Sequence, residues 1–139
     1  MTQPTQDIPA MPGLDTTQPL VDRTRLAELA QMAGPAESQA LLRELLEMYR
    51  AEAIPHQARL TAAWKGGEAV LARSEAHYLA GSSANLGLTQ LAGVWRELEA
   101  LARDGQLPAW SDLDAVLEKW MGEACRAYEQ AVAELAAAG

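Results

Sequence analysis

A chain of 139 residues has room for one domain with a single hydrophobic core. Its 19 acidic residues outnumber the 11 basic ones, the formal net charge is -8, and the basic residues are scattered along the chain. This pattern argues against nucleic acids and anionic membranes as partners, because both bind clustered positive charge. Ala and Leu dominate the hydrophobic residues and Phe is absent, which favours an all-α fold.

The first 19 residues differ in composition from the rest of the chain. They contain four prolines and almost no periodic apolar positions, which predicts a disordered tail over 1–19 and a helical domain over 20–139. The tail has neither the basic nor the apolar region of a signal peptide, and no apolar run approaches the roughly 18 residues that span a bilayer. A single cysteine, Cys125, forms no internal disulfide. We therefore expect a cytoplasmic protein.

Helix signals begin just after the tail. Asp22 is placed to cap a short first helix, which Gly34 ends. A long second helix follows, with an apolar stripe that includes Ile54, and it ends at Gly66. Pro55 lies inside this pattern and predicts a kink rather than a break.

Three more helices complete the predicted fold. The third runs over 68–86, and the fourth follows Gly87 and ends near Gly105. Trp110 lies in the next predicted loop, and Ser111 is the expected N-cap of the last helix. Four long helices with short connections predict an antiparallel up-down-up-down four-helix bundle, with the short N-terminal helix as a lid.

The third helix carries an unusual histidine. With residues about 100° apart around the axis, the apolar arc lies opposite His77, so the imidazole faces outward. Small residues beyond it leave the ring accessible, although glycine in a helix costs about 1 kcal/mol relative to alanine. We predict that this face meets a partner through five neighbours of the histidine, namely Arg73, Ser74, Ala80, Gly81 and Ala84.

Other polar residues near this face have more ordinary interpretations. Glu75 falls within the apolar arc, where helical periodicity gives no reason for a carboxylate. His56 has no comparable surroundings, so we interpret it as structural, and Ser82 and Ser83 as small packing residues. Neither histidine has a Glu three positions before it, which argues against a metal-carboxylate site of the Glu-x-x-His type.

The stretch "AHYLAGSSANLG" resembles the signature of histidine-containing phosphotransfer (HPt) domains. The wider similarity extends from about Leu20 to Gly105. The resemblance implies a four-helix bundle in which His77 accepts a phosphoryl group and Gly81 gives the clearance beside it. The matched positions are His77, Leu79, Gly81, Ser82, Ser83, Leu86 and Gly87.

The resemblance also implies a function. The protein would be a stand-alone, monomeric intermediate of a multistep two-component phosphorelay, passing phosphoryl groups between receiver-domain aspartates rather than acting as an independent catalyst. Its partners would be response-regulator receiver domains and a hybrid histidine kinase. A neutral imidazole, with an unperturbed pKa of about 6.5, is nucleophilic without a base. No cofactor is expected on this chain, since the Mg²⁺ belongs to the receiver.

Two other interpretations stay open. Ala80 stands where the family usually carries Lys or Arg, which suggests a module that docks on receivers with weak or no transfer. Arg73 lies four residues before His77 on the same face and is a candidate to replace that missing cation. The third interpretation is a structural bundle in which His77 has no role.

Overall fold

The computed structural model describes the backbone of residues 14–138 and the side chains of residues 14–135. Within this part of the chain all regular structure is helical, so the predicted all-α class is confirmed. The five helices, in chain order, are α1 (Arg23–Ala30), α2 (Ser38–Lys65), α3 (Ala69–Leu86), α4 (Thr89–Arg103) and α5 (Trp110–Ala138).

The four long helices pack in a closed ring. Helix α2 contacts α3 and α5, and α4 contacts the same two helices from the other side. The short connections between consecutive helices are consistent with the predicted up-down-up-down order. Helix α1 lies against α2 and α3.

The start of α1 is tied to the end of α3. The Asp22 carboxylate accepts a hydrogen bond from the Arg25 backbone N–H at 3.2 Å, which confirms the predicted cap. The Asp22 backbone N–H in turn donates to the carbonyl of Gly87 at 2.8 Å. Gly87 ends α3 with φ of 90°, and a Cβ there would lie 3.1 Å from Leu26 Cδ1. A side chain at this position would be both strained and crowded.

Two of the four tryptophans pack together at one end of the core. Trp64 donates from Nε1 to the Pro108 carbonyl at 2.8 Å, and its ring lies 5.8 Å from that of Trp110. The loop prediction for Trp110 is wrong, because this buried residue is the first of α5. Ser111 therefore lies inside the first turn rather than at the N-cap. Burying the Trp110 ring against Trp64 explains why the helix begins two residues earlier than an N-cap at Ser111 implies.

The second helix is continuous through Pro55, as predicted. Pro55 has no backbone N–H to donate to the carbonyl of Ala51, four residues earlier. Both residues are exposed, so water can bind that carbonyl instead. The predicted placement of Ile54 on the buried stripe is wrong, since it is 67% exposed. Ala53 occupies the inward position instead and is 2% exposed.

The predicted tail over 1–19 falls largely outside the described residues. Within 14–19, Asp15 accepts a hydrogen bond from the Thr17 backbone at 2.9 Å, and Leu14 packs against the core. Cys125 is buried, and this burial raises the pKa of its thiol. Among the helices described here, none combines the length and the apolar character that a membrane crossing needs.

Candidate functional site

His77 lies in the middle of α3, on the side that neither α2 nor α4 covers. Its side chain is 76% exposed, whereas Ala76 and Leu79 are fully buried. Helix α4 packs more extensively on α3 than α2 does, and the two helices together leave one strip of α3 open. The predicted outward orientation of the imidazole is confirmed.

A carboxylate from the neighbouring helix binds this imidazole. Glu99 of α4 accepts a hydrogen bond from His77 Nδ1 at 2.9 Å, and its side chain is only 18% exposed. A carboxylate is an acceptor only, so the hydrogen of the neutral ring is on Nδ1. The lone pair is then on Nε2, the nitrogen that is free to attack an electrophile.

Sequence reasoning did not find Glu99. The only signal in the sequence is its position next to Leu98 on the apolar stripe of α4, which places it at the edge of the buried face. Which residue of α3 it meets depends on the alignment of the two helices, and periodicity within one helix does not determine that alignment.

Gly81 lies one turn beyond His77 and is exposed. No heavy atom outside its immediate helical backbone lies within 4 Å of the position that a Cβ would occupy. The glycine is therefore not required for close packing within the chain. What it provides is open space beside the imidazole, in agreement with the predicted clearance.

We expect Gly81→Ala to retain transfer and to stabilise the fold by up to about 1 kcal/mol, because alanine is the better helix former. Gly81→Gln should fold but slow phosphoryl transfer about 10- to 100-fold, since its longer side chain keeps the partner from the reactive geometry. Thermal unfolding and transfer kinetics measure the two effects. Ala58→Gln, at an exposed position of α2, is the matched control. Wild-type kinetics in Gly81→Gln would contradict the clearance argument.

The neighbouring serines are engaged in internal hydrogen bonds. Ser83 is fully buried, with its hydroxyl 2.7 Å from that of Tyr49. Ser82 donates to the Leu79 carbonyl at 3.2 Å and is half-buried. Their interpretation as small packing residues fits these contacts, and neither hydroxyl competes with His77 for the open face.

The predicted contact face is correct for some neighbours and wrong for one. Arg73 and Ser74 are exposed, and Ala84 is half-buried. Ala80 is only 4% exposed and belongs to the core, so the prediction that it lies on the open face is wrong. A helical wheel gives angles around one helix and does not show how far a neighbour extends over its flank.

Two depressions flank the imidazole. A groove of about 710 Å³ runs from His77 past Tyr78 and Gly81 to Leu45 and Tyr49 of α2, and α1 closes its far side. A second depression of about 350 Å³ lies toward the start of α3. It is lined by Val70, Arg73, Ser74, His77 and Glu99. Arg73 and the acceptor ring therefore face one common space.

Glu75 has a partner that the sequence did not indicate. Its Oε1 lies 2.6 Å from Nδ1 of His56, and its Oε2 accepts a hydrogen bond from Nε of Arg59 at 3.1 Å. Burial raises the pKa of Glu75, but the hydrogen bonds from His56 and Arg59 outweigh it, so the pKa lies below its usual value. The imidazole of His56 also stacks on the Tyr78 ring, with centroids 3.8 Å apart. His56 thus joins α2 to the residue beside His77.

Two comparisons with known proteins find a matching family and a similar structure. The family model of the Hpt domain matches residues 44–138. The crystal structure of histidine-containing phosphotransfer protein B (HptB) from Pseudomonas aeruginosa PAO1 is similar, with a TM-score of 0.67 and 28% sequence identity. The match covers 84% of this chain and 96% of that one. Comparison with curated proteins gives no match.

The family match extends over more than half of the chain and includes His77, Gly81 and Glu99. The chain therefore belongs to the Hpt domain family, and the resemblance seen in the sequence is confirmed. Membership assigns it to histidine phosphotransfer in two-component signalling.

Proposed function

We propose that this protein relays phosphoryl groups between the aspartates of receiver domains, with His77 as the intermediate acceptor. The observation that carries the proposal is an imidazole that is 76% exposed while its Nδ1 is bound to Glu99 at 2.9 Å. This arrangement fixes the ring and presents Nε2 to an approaching protein. The open space at Gly81 lets a convex partner surface reach that nitrogen.

The chemistry is an in-line displacement at phosphorus. The Nε2 lone pair of His77 attacks the phosphorus of an aspartyl phosphate, the N–P bond forms, and the P–O bond to the aspartate breaks. The receiver carboxylate leaves with the electron pair. The ring keeps its Nδ1 hydrogen and becomes positively charged, and the Glu99 carboxylate stabilises that charge. Attack by a second receiver's aspartate reverses the sequence.

The division of labour follows from this scheme. The receiver supplies Mg²⁺ and a lysine that neutralise charge on the phosphoryl oxygens, and this chain supplies a positioned nucleophile without a cofactor of its own. Its partners are response-regulator receiver domains, and a hybrid histidine kinase is the source of the phosphoryl group. The protein works as a monomer in the cytoplasm. It is a phosphorelay intermediate rather than an independent catalyst.

The burial of Ala80 favours a second candidate function. The position where the family usually carries a cation holds an alanine that is only 4% exposed. A bundle without that charge is suited to docking on a receiver with weak or no transfer. Both functions use the same face, and they differ only in whether the phosphoryl group moves.

A mixing experiment separates these possibilities. Radiolabelled, phosphorylated receiver domains from the source genome are each incubated with this protein, and transfer and complex formation are measured together. Movement of label to this protein and on to a second receiver supports the relay. Binding without movement of label supports the docking module. Absence of both supports a bundle in which His77 has no role and contradicts the proposal.

We predict that Arg73 supplies part of the charge that Ala80 lacks. Arg73 is exposed, shares a depression with His77 and Glu99, and has no ion-pair partner among residues 14–135. Since one contact at an exposed site is worth about 0.2–1 kcal/mol, Arg73→Ala should slow transfer about two- to fivefold. The effect should be larger at low salt, because screening is weaker there. Transfer kinetics at two salt concentrations measure it.

Two further variants test whether position or total charge matters. Arg43→Ala, at an exposed site near the start of α2, removes the same charge away from His77 and should transfer normally. In Arg73→Ala/Ser74→Lys the new cation stands on the same open face and should restore the rate. Equal transfer by Arg73→Ala and Arg43→Ala would show that Arg73 does not replace the family's cation.

A further inference from the structure

His56, Glu75, Arg59 and Tyr78 form a cluster on the flank of α3 that faces α2. We refer to these four residues as the flank cluster. The rings of His56 and Tyr78 are stacked, with centroids 3.8 Å apart and planes 19° from parallel. His56 Nδ1 lies 2.6 Å from Glu75 Oε1 and 3.0 Å from Nη2 of Arg59, and Arg59 Nε donates to the other carboxylate oxygen. The two stacked rings therefore come from different helices, His56 from α2 and Tyr78 from α3.

The flank cluster lies at the surface, yet its contacts restrict the orientation of both rings. The side chains of His56 and Glu75 are only 20% and 17% exposed. The His56 ring is fixed on one edge by the carboxylate and on one face by Tyr78. A tyrosine in a helix has two common χ1 rotamers, and stacking on a fixed ring favours one of them. The Tyr78 ring is thus oriented before any partner arrives.

Tyr78 directly follows the acceptor histidine and forms part of the large groove beside it. Its side of the groove continues through Gly81 to Leu45 and Leu29, and Arg25, Glu52 and Asn85 also line the groove. Tyr78 itself is 37% exposed and is not part of the buried core. A receiver that brings phosphorus within bonding distance of His77 Nε2 also covers this groove, because stable interfaces bury about 800 Å² on each partner.

We propose that Tyr78 contacts the receiver domain and that His56 and Glu75 are positioning residues that hold its ring in the contact orientation. This inference rests on the proposed function, because the occupant of the groove is the partner that delivers the phosphoryl group to His77. The matching feature on the receiver is an apolar side chain next to its phosphoaspartate, since Leu29 and Leu45 line the same groove as Tyr78. Orienting Tyr78 in advance lowers the entropy lost on docking.

The stack itself is testable in the free protein. The chain has only two histidines, so the imidazole proton signals of His56 and His77 are assigned from a single His77→Gln spectrum. We expect the His56 ring protons to be shifted upfield by the Tyr78 ring and to return to ordinary values in Tyr78→Leu. Ordinary shifts for His56 in the wild-type protein would overturn the inference before any partner is added.

Docking is tested through the concentration dependence of transfer from a phosphorylated receiver. His56→Ala should raise the half-saturating receiver concentration about two- to tenfold, the range expected for one aromatic pair, while the maximal rate stays within about twofold. His56→Phe keeps a flat ring for Tyr78 to stack on and should restore most of the affinity. Ile54→Ala, which shortens an exposed side chain of the same helix, should behave as wild type.

The carboxylate is tested in the same assay. Glu75→Ala should resemble His56→Ala, because it frees the imidazole, and Glu75→Gln should be less affected because its amide oxygen still accepts from Nδ1. Circular dichroism confirms that each variant is folded. If His56→Ala unfolds the bundle, Tyr78→Leu replaces it as the test variant, with Ile54→Ala as its control. Tyr78→Leu should then show the same rise in half-saturating receiver concentration.

The possible outcomes are distinct. Unchanged half-saturation in folded His56→Ala and Tyr78→Leu proteins, with label still reaching His77, would overturn this inference and leave the relay intact. A reduced maximal rate at unchanged half-saturation would also overturn it, because that result places the flank cluster in the chemical step. Absence of label on the wild-type protein would contradict the proposed function, and this inference with it.

Discussion

We expect His77→Gln to accept no phosphoryl group from any receiver domain. Glutamine removes the only ring nitrogen that the structure presents on the open face of α3, and its amide is not a nucleophile. The wild-type protein should carry a label that is lost in acid and stable in alkali, as a phosphoramidate is. Incubation with a radiolabelled receiver, followed by acid and alkali treatment, measures both properties.

The control for this prediction is His56→Gln, which changes the other histidine and keeps the acceptor. It should still be labelled when the receiver is saturating. Label that survives in His77→Gln or is found on a serine would show that the acceptor assignment is wrong. The structure argues against the serines, because Ser83 is buried against Tyr49 and Ser82 donates to the Leu79 carbonyl.

The next largest effect is expected for Glu99→Ala. Glu99 holds Nδ1 of His77 and stabilises the positive charge that the ring gains as the N–P bond forms. A hydrogen bond to a charged group is worth about 1.5–3 kcal/mol, so its loss should lower the maximal transfer rate about 10- to 100-fold. Single-turnover kinetics at saturating receiver isolate this effect from docking.

Two variants refine the interpretation of Glu99. Glu99→Gln keeps an acceptor for Nδ1 without the negative charge and should fall between wild type and Glu99→Ala. Glu97→Ala removes a nearby carboxylate of α4 and should transfer normally. Glu97 lines a different depression, and burial raises its pKa. A wild-type transfer rate in Glu99→Ala would contradict the role given to the 2.9 Å contact between Glu99 and Nδ1 of His77.

The sequence predicted the features that depend on one helix at a time. The order of the helices, the Asp22 cap, and the exposure of His77 and Gly81 all follow from local signals and from periodicity. The histidine was predictable as a site because helical angles place it opposite the apolar arc. Gly81 marked it further, since a glycine without a packing role is unusual inside a helix.

The features that sequence reasoning missed depend on how helices meet. The pairing of Glu99 with His77 requires the alignment of α3 and α4, and that of Glu75 with His56 requires the alignment of α2 and α3. Neither alignment is encoded in the period of one helix. Ala80 was assigned to the open face for the same reason, because its burial depends on how far the neighbouring helices extend over the flank of α3.

The most direct test of the central claim is the position of the phosphorus on the protein. ¹⁵N-labelled protein is phosphorylated by an excess of phosphorylated receiver, and phosphorus–nitrogen couplings are measured by NMR. We predict a single phosphohistidine, with phosphorus bonded to Nε2 of His77 and with Nδ1 still protonated toward Glu99. Phosphorus on Nδ1 of His77, on His56 or on a serine would contradict the account.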